Sequence, residues 1–512
     1  MLNTRASLLS IMLMLFIGMV NSIDLSAQDN KDVFESYKLL IESKFNSTRA
    51  HQDKIFSNFR DSINKAFSTF LLKEWDQATM SEYIPNPNKP EPKPIIDTSK
   101  VISSTPLPHI EPLPEPPIVA ATPIILPPSD VKPAITPTHP DSPINNNESI
   151  QNENLFTFEF YGAICKVNLP NKKELKLQSS SRKEISRVWE ILSSEAYDNF
   201  LKDCINYKDS LQLCDWGVYQ FIESVSKSYL ENVDSNESVL FQMYALSQLG
   251  YKARLGMQGN RLINLVAFNQ QIYSKPYLLI DGQEFYFLSS GLKEDGIQLC
   301  DFKFPNEQGA SLRMNTMPRF PYAPSTKRSI KSTAYPNAHA SVSVNNNLIE
   351  FLSTYPNCSW ELFAEASLSD EVKKQLYPIL SRITSSLSEK DAANVLLNFV
   401  QTGFEYKTDD EQFGREKTFF GDEPFYYPYC DCEDRSILYA ILIKDLLKLD
   451  VVLLDYPSHI ATAVCFTENI TGDYFKIDEK KYIICDPTYI GAPIGKSMPD
   501  LLNIKAKILR VQ

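Results

Sequence analysis

Positive charge and histidine are both scarce in this chain of 512 residues. Lys and Arg number 51 against 63 Asp and Glu, so the formal net charge is -12. Because binding to a phosphate backbone needs a basic surface, nucleic acid is excluded as the main partner. The nine cysteines include no CxxC pair and no metal-ligand spacing, so we expect no metal and no cofactor. The five histidines are His51, His109, His139, His339 and His459.

Long apolar runs are also rare, and the one at the N-terminus predicts export. Leu8–Val20 follows the positive Arg5 and precedes the small residues Ser22 and Ala27, which is typical of a signal peptide over 1–27. A membrane span needs about 20 apolar residues, so a cleaved signal is favoured over an uncleaved anchor. No N-terminal lipidated cysteine is available, since the first cysteine is Cys165. We expect a periplasmic or cell-envelope location.

Composition divides the rest of the chain. Residues 28–82 repeat aromatic and aliphatic residues at helical spacing, which predicts an amphipathic helical arm. This stripe either packs within the protein, which we favour, or serves self-association or an envelope partner. Residues 83–150 should be a disordered linker, since 85–143 hold 18 of the 33 prolines and proline donates no backbone hydrogen bond. From 151 the pattern is globular.

The two globular halves, 151–325 and 326–512, resemble copies of one unit. At an offset of 198 residues, Ser436-Ile-Leu-Tyr439 aligns with Ser238-Val-Leu-Phe241, and apolar positions continue to match over a helix and two strands. The second copy has about 20 extra residues in a loop from Tyr406 to Tyr429. A long loop inside a compact domain is often functional, as a lid or substrate wall, although a solvated loop is an equal alternative.

The second copy carries a cysteine, a histidine and an aspartate in an order that suits catalysis by a thiol. Cys432 precedes an apolar helix, whose N-terminus lowers the pKa of a thiol and offers free N–H groups. His459 opens an apolar strand and is a candidate base, while Asp486 ends the next strand and would orient the imidazole. Cys430 is a rival thiol that the sequence does not exclude.

These segments resemble the transglutaminase-like superfamily of cysteine hydrolases and acyltransferases. The resemblance covers roughly 390–490 and rests on Asp431-Cys432-Glu433-Asp434, His459 and Asp486-Pro487-Thr488, although Cys430 stands where that family usually has Gly. It implies an α+β, papain-like fold with the Cys-bearing helix packed on an antiparallel sheet that bears His and Asp. It also implies acyl transfer from amide bonds of a protein or peptide substrate. Gln401, at a helix end upstream, is a candidate for oxyanion or supporting contacts.

The first copy lacks the three candidate residues. In the alignment Cys432 meets Asp234, His459 meets Arg261 and Asp486 meets Ser289, while Cys465 and Cys485 meet small or apolar residues and should be core. We therefore interpret 151–325 as a degenerate lobe and 326–512 as the catalytic domain of an exported cysteine peptidase or amidase. The alternative is a non-catalytic envelope binding or scaffold protein that retains the same fold.

Overall fold

The computed structural model describes residues 54, 57–81, 83–85, 154–288, 296–457 and 459–511. The chain divides into two compact units, 1–67 and 68–512. The predicted signal peptide, the first half of the helical arm and nearly all of the proline-rich linker lie outside the described residues. Among the residues that are described, no helix is both long and apolar enough to cross a bilayer.

The arm is helical over a shorter stretch than the sequence indicates. Residues 57–71 form a helix, but strand β1 (Asp76–Ala78) lies within the segment predicted as helical. β1 pairs antiparallel with a later strand, Ile297–Cys300, at the edge of a sheet. The prediction of a helix through 82 is therefore wrong at its C-terminal end, because pairing with a distant strand outweighs the local pattern.

Along the chain, the first globular lobe begins with a hairpin, continues with a group of helices and ends with the strands of one sheet. The hairpin joins β2 (Leu155–Phe160) to β3 (Ala163–Asn168). The helices are α1 (Arg182–Leu192), α2 (Asp198–Ser210), α3 (Asp215–Leu230) and α4 (Asn236–Gln248). The strands that follow are β4 (Ala253–Gln258), β5 (Arg261–Ala267), β6 (Tyr277–Ile280), β7 (Gln283–Phe287) and β8 (Ile297–Cys300).

The second lobe repeats this plan after a second hairpin. The hairpin is β9 (Arg328–Lys331) with β10 (His339–Val342). The helices are α5 (Asn346–Ser353), α6 (Trp360–Glu365), α7 (Asp370–Thr384), α8 (Glu389–Gly403), α9 (Asp409–Phe413) and α10 (Cys432–Leu442), the last ending in a π-helical turn (Ile443–Leu447). The strands are β11 (Asp450–Tyr456), β12 (His459–Cys465), β13 (Tyr474–Ile477), β14 (Lys480–Cys485) and β15 (Lys507–Arg510).

The two sheets share one connectivity. The first has the order β1-β8-β4-β5-β7-β6 and the second β15-β11-β12-β14-β13, with every pairing antiparallel. Apart from the added β1, each strand of the first sheet has a counterpart in the second. The helices α4 and α10 hold equivalent places, immediately before the first strand and packed against the sheet.

The predicted mixture of α and β structure with antiparallel sheets is confirmed. The predicted helix after Cys432 and the strands near 459–467 and 481–486 are also present, but the strand β11 was not expected. Its residues 451–454 are all buried, so this strand lacks the alternation of polar and apolar residues that marks a half-exposed strand. An apolar run of that length directly after a helix is easily taken for more helix.

Candidate active site

Cys432 is the first residue of α10 and is surrounded in sequence by the acidic residues Asp431, Glu433 and Asp434. The backbone N–H of Asp431 donates to Asp434 Oδ2 at 3.2 Å, and Asp434 Oδ1 accepts from the N–H of Phe419 at 2.9 Å. The bond from Asp431 to Asp434 is one of the two bonds of a capping box. The Asp434 carboxylate thus satisfies two backbone N–H groups at the start of the helix. Cys432 therefore lies in the first turn of α10, where the backbone N–H groups have no acceptor within the helix.

His459 and Asp486 form a close pair beside this helix start. The distance from His459 Nε2 to Asp486 Oδ2 is 2.9 Å, and both side chains are buried. Because an ionised carboxylate can only accept, Nε2 carries the hydrogen and Nδ1 is the acceptor nitrogen. Within the described part of the chain, Nδ1 has no hydrogen-bond partner. The imidazole thus presents a lone pair on the nitrogen that Asp486 does not use.

Asp486 is itself held rigidly by the turn that follows it. Its Oδ1 accepts from the N–H groups of Thr488 at 2.9 Å and Tyr489 at 3.1 Å, which makes an Asx-turn. Pro487 has no N–H, so the turn leaves no donor unsatisfied at that position. The Asp-Pro-Thr sequence therefore forms a turn, and this turn also orients Oδ2 toward His459.

A side-chain hydrogen bond ties the helix that begins at Cys432 to the strand that begins at His459. Ser436, one turn after Cys432, donates from Oγ to the carbonyl oxygen of Ile460 at 3.1 Å. The backbone N–H of Ile460 also faces the Cys432 sulfur, and a thiolate there accepts from it. Since Ile460 directly follows His459, α10 and β12 meet close to both residues. The thiol itself donates to Glu433 Oε2, and among the described residues no hydrogen bond joins it to His459 Nδ1.

Gln401 supports the site from the end of α8 and is buried. Its Nε2 lies 2.9 to 3.0 Å from the carbonyl oxygens of Asp486, Tyr489 and Ala492, and its Oε1 accepts from the N–H of Gly491. The amide hydrogens thus point at backbone carbonyls, which is a supporting contact for the segment after β14. An oxyanion contact would require these donors to leave their present partners.

The remaining cysteines differ from Cys432 in their contacts and in how deeply they are buried. No disulfide joins any of the nine, all of which lie in described segments. The Cys430 sulfur faces the carbonyl oxygen of Glu405 at 4.0 Å, and burial raises the pKa of Cys430 to about 12. Cys485 is fully buried, as predicted for core, whereas Cys465 is only half-buried at the end of β12.

The long loop before Cys430 is packed rather than solvated. It contains α9 and a short 3-10 turn (Glu423–Phe425), and all residues from 417 to 425 are buried. Lys417 is buried among aromatic rings, with its ammonium 4.7 Å from the Phe419 ring centre, and it forms an ion pair with Glu423. The expectation of a freely solvated loop is therefore wrong for its central part.

Acidic side chains surround the candidate nucleophile. The Cys432 thiol donates to Glu433 Oε2 at 3.4 Å and is 1% exposed. Burial raises the pKa of Cys432 well above its usual range, and the negative neighbours Glu433 and Asp431 raise it further. Burial and mutual repulsion likewise raise the pKa of Glu433, Asp431 and Asp434. Burial first, and the acids second, therefore favour the protonated form of the thiol in this arrangement.

The first lobe has an ion pair at the corresponding place. Arg261 Nη2 lies 3.5 Å from Asp234 Oδ1, at the start of β5 and just before α4. These residues align with His459 and Cys432, so the helix start and strand start meet in both lobes. Ser289, which aligns with Asp486, lies outside the described residues.

No protein-family model matches the chain, and no curated protein or solved structure shows significant similarity to it.

Sequence inspection missed the role of the acidic positions. Asp409, Asp431 and Glu433 each bring a carboxylate oxygen to within 4.8 Å of the others, and all three are buried. Acidic residues before a helix are usually solvated N-terminal caps, so their type alone gave no signal. The useful signal was the excess of three acids in Asp431-Cys432-Glu433-Asp434, where a cap needs only one or two.

Proposed function

We propose that this protein is a transglutaminase-like cysteine hydrolase or acyltransferase that acts on amide bonds of protein or peptide substrates. The observation that carries the proposal is the His459–Asp486 pair at 2.9 Å with its free Nδ1 beside the helix that begins at Cys432. In this proposal 326–512 is the catalytic domain with a papain-like fold, and 151–325 is its degenerate copy. The matching strand orders and the Arg261–Asp234 pair support the duplication.

The proposed chemistry begins with proton transfer from Cys432 to His459 Nδ1. The thiolate then attacks the substrate carbonyl carbon, and the developing oxyanion is stabilised by backbone N–H groups near the start of α10. His459 returns the proton to the leaving amine, which yields a thioester on Cys432. Water or a second amine then cleaves the thioester. Asp486 stabilises the imidazolium and fixes the tautomer throughout.

Access to the thiol requires a local rearrangement, because Cys432 is 1% exposed. The segment that includes Tyr406 lies close to Cys432 and is part of the long loop. In the proposal, substrate binding displaces part of this loop, in the manner of other enzymes whose sites close over the substrate. The predicted export of the protein, its envelope location and the proline-rich spacer fit a hydrolase that reaches its substrate at a distance.

Labelling with a thiol-directed probe tests the proposal. Iodoacetamide followed by peptide mapping should modify Cys432 in the wild type, and the Cys430→Ala variant should label equally. Cys432→Ala should lose that signal, and His459→Gln should slow it. Labelling that disappears in Cys430→Ala but persists in Cys432→Ala would transfer the nucleophile role to Cys430.

The buried, protonated thiol favours a second candidate function. A non-catalytic binding or scaffold protein with the same fold would keep Cys432 buried, as it is in this structure, in surroundings that raise the pKa of its thiol. In that case neither Cys430 nor Cys432 would label in the native protein, although both thiols would react after unfolding in urea. That outcome would reject catalysis while leaving the fold assignment intact.

A further inference from the structure

One segment of the chain joins the two edges of the first sheet. β1 pairs with the outer edge of β8, and a few positions later the N–H of Ser81 donates to the carbonyl oxygen of Tyr277, the first residue of β6, at 2.9 Å. Ala78 and Met80 of this segment pack against the apolar core of the sheet. Residues 76–81 thus reach from one edge of the sheet to the other and satisfy backbone groups of both edge strands.

The corresponding edges of the second sheet are open. β15 is the counterpart of β8 and β13 is the counterpart of β6, and among the described residues no strand pairs with the outer edge of either. Both edges therefore present backbone N–H and C=O groups that are free to pair with one more strand. The segment that closes the first sheet has no equivalent in the described part of the second lobe.

A groove with a volume of about 450 Å³ lies between these two open edges. It extends from Tyr474, at the start of β13, to Ile504 and Lys505, just before β15. Leu501 lines its buried side, whereas the side chains of Tyr474, Leu502 and Ile504 are about half exposed. Large apolar side chains that are exposed together in a concave site mark a binding surface.

The charges of the groove favour a ligand that carries a carboxylate. Among the residues that line it, Asp473 is the acid, and its Oδ2 already accepts from the N–H of Ser497 at 3.0 Å. Lys505 is exposed and forms no ion pair with any residue that the structure describes. The segment that closes the first sheet combines the same two properties, since Asp76 is acidic and Met80 is apolar.

We propose that this groove binds an extended segment of a partner polypeptide, which adds to the open edge of β15 as one more strand. The backbone of the partner pairs with β15 as β1 pairs with β8. Its alternate apolar side chains pack on Tyr474, Leu502 and Ile504, and a carboxylate approaches Lys505. In such complexes the main-chain hydrogen bonds supply affinity and the side-chain contacts supply specificity.

The groove lies close to the candidate active site but does not depend on its chemistry. Tyr456 lines the groove, and its ring stacks on the imidazole of His459 with the ring centres 6.5 Å apart. A polypeptide bound there is held beside the His459–Asp486 pair. Cys432 does not line the groove, so Cys432→Ala should bind the same peptides as the wild type.

Selection of random dodecapeptides displayed on phage, with the full chain as the target, tests the proposal. The enriched sequences should alternate apolar residues and carry Asp or Glu. When they are added as synthetic peptides, amide exchange should slow in 474–477 and 505–510. Failure to enrich any sequence, or slower exchange that is confined to other segments, would overturn the proposal.

Matched variants locate the binding surface. Leu502→Ser and Ile504→Ser should each weaken binding of the selected peptides by about tenfold or more, because each removes an apolar contact. Ile205→Ser is the control, since Ile205 lies on α2 of the first lobe and is 49% exposed against 43% for Ile504. It should bind like the wild type. All three side chains are exposed, so the variants should fold, which circular dichroism checks. Wild-type affinity in both groove variants would rule out this surface.

Sedimentation of the free chain over a range of concentrations tests the choice of occupant. The expected result is a monomer, or a dimer that Ile504→Ser and Ile205→Ser both leave intact. A dimer that only Ile504→Ser dissociates would show that a second copy fills the groove, and the separate partner would be rejected. Failed thiol labelling with normal peptide binding would reject the enzyme and keep the groove, whereas labelling of Cys432 without peptide binding would do the reverse.

Discussion

Replacement of Asp422 by asparagine should stabilise the protein at neutral and alkaline pH. Asp422 lies in the long loop and is fully buried, and its Oδ1 accepts from the N–H of Ser369 at 2.9 Å. Burial raises the pKa of Asp422 from 3.8 to about 6, and repulsion from Glu371 and Glu423 adds to the shift. Asparagine keeps the acceptor oxygen for Ser369 and carries no charge.

The magnitude follows from the difference between the folded and unfolded pKa. A shift from 3.8 to about 6 corresponds to about 3 kcal/mol, at 1.36 kcal/mol for each pH unit. Because the folded state holds the proton more tightly, the wild type gives up this stability as pH rises from about 4 through about 6. The free energy of unfolding of Asp422→Asn minus that of the wild type should therefore grow from below about 1 kcal/mol at pH 4 to about 3 kcal/mol at pH 8.

Urea unfolding at pH 4 and pH 8, followed by tryptophan fluorescence, measures this difference. Titration of all other groups cancels between variant and wild type to first order, so the pH dependence of the difference reports Asp422 alone. Asp410→Asn is the control for loss of a loop charge and should stay within about 0.5 kcal/mol of the wild type. A difference that is independent of pH, or that shrinks as pH rises, would refute the reasoning.

Further predictions concern the supports of the two lobes. Arg254→Met should destabilise the chain by about 3–5 kcal/mol, because it leaves the carboxylates of Asp301 and Glu307, each of which Arg254 binds at 2.6 Å, without a positive partner. An unchanged urea midpoint would contradict this prediction. Gln401→Leu should cost about 1–3 kcal/mol, since it leaves buried carbonyl oxygens without a donor, and the same assay measures it. Asp486→Asn should slow acyl transfer by about 100-fold or more, because asparagine lacks the negative charge that fixes the tautomer and stabilises the imidazolium; an unchanged rate would contradict the orienting role.

The positions of the proposed site residues relative to the helix and strands could be predicted because each lies at a boundary of an apolar run. Cys432 precedes the apolar face of α10, His459 opens β12, and Asp486 follows β14, so the order of runs places all three at one end of the lobe. That placement depends on hydrophobic periodicity, which is visible in a single sequence. The distance from His459 Nε2 to Asp486 Oδ2 agrees with this expectation.

Features that depend on long-range packing could not be predicted. The edge strand β1 exists because of its pairing with β8, more than 200 positions away in the chain, and local periodicity favours helix there. The burial of Glu433 likewise depends on how the loop from Tyr406 to Tyr429 folds over α10. An acidic residue is normally solvated, so a buried acid gives no sign of itself in composition.

Trapping of the acyl-enzyme tests the central claim most directly. The wild type, His459→Gln and Cys432→Ala are mixed with an activated acyl ester, and intact mass and peptide mapping follow the covalent adduct. The proposed mechanism predicts one acyl group on Cys432 in the wild type, formed far more slowly in His459→Gln and absent in Cys432→Ala. An adduct on another residue, or formation on Cys432 at the same rate in His459→Gln, would contradict the assignment of Cys432 and His459 as nucleophile and base.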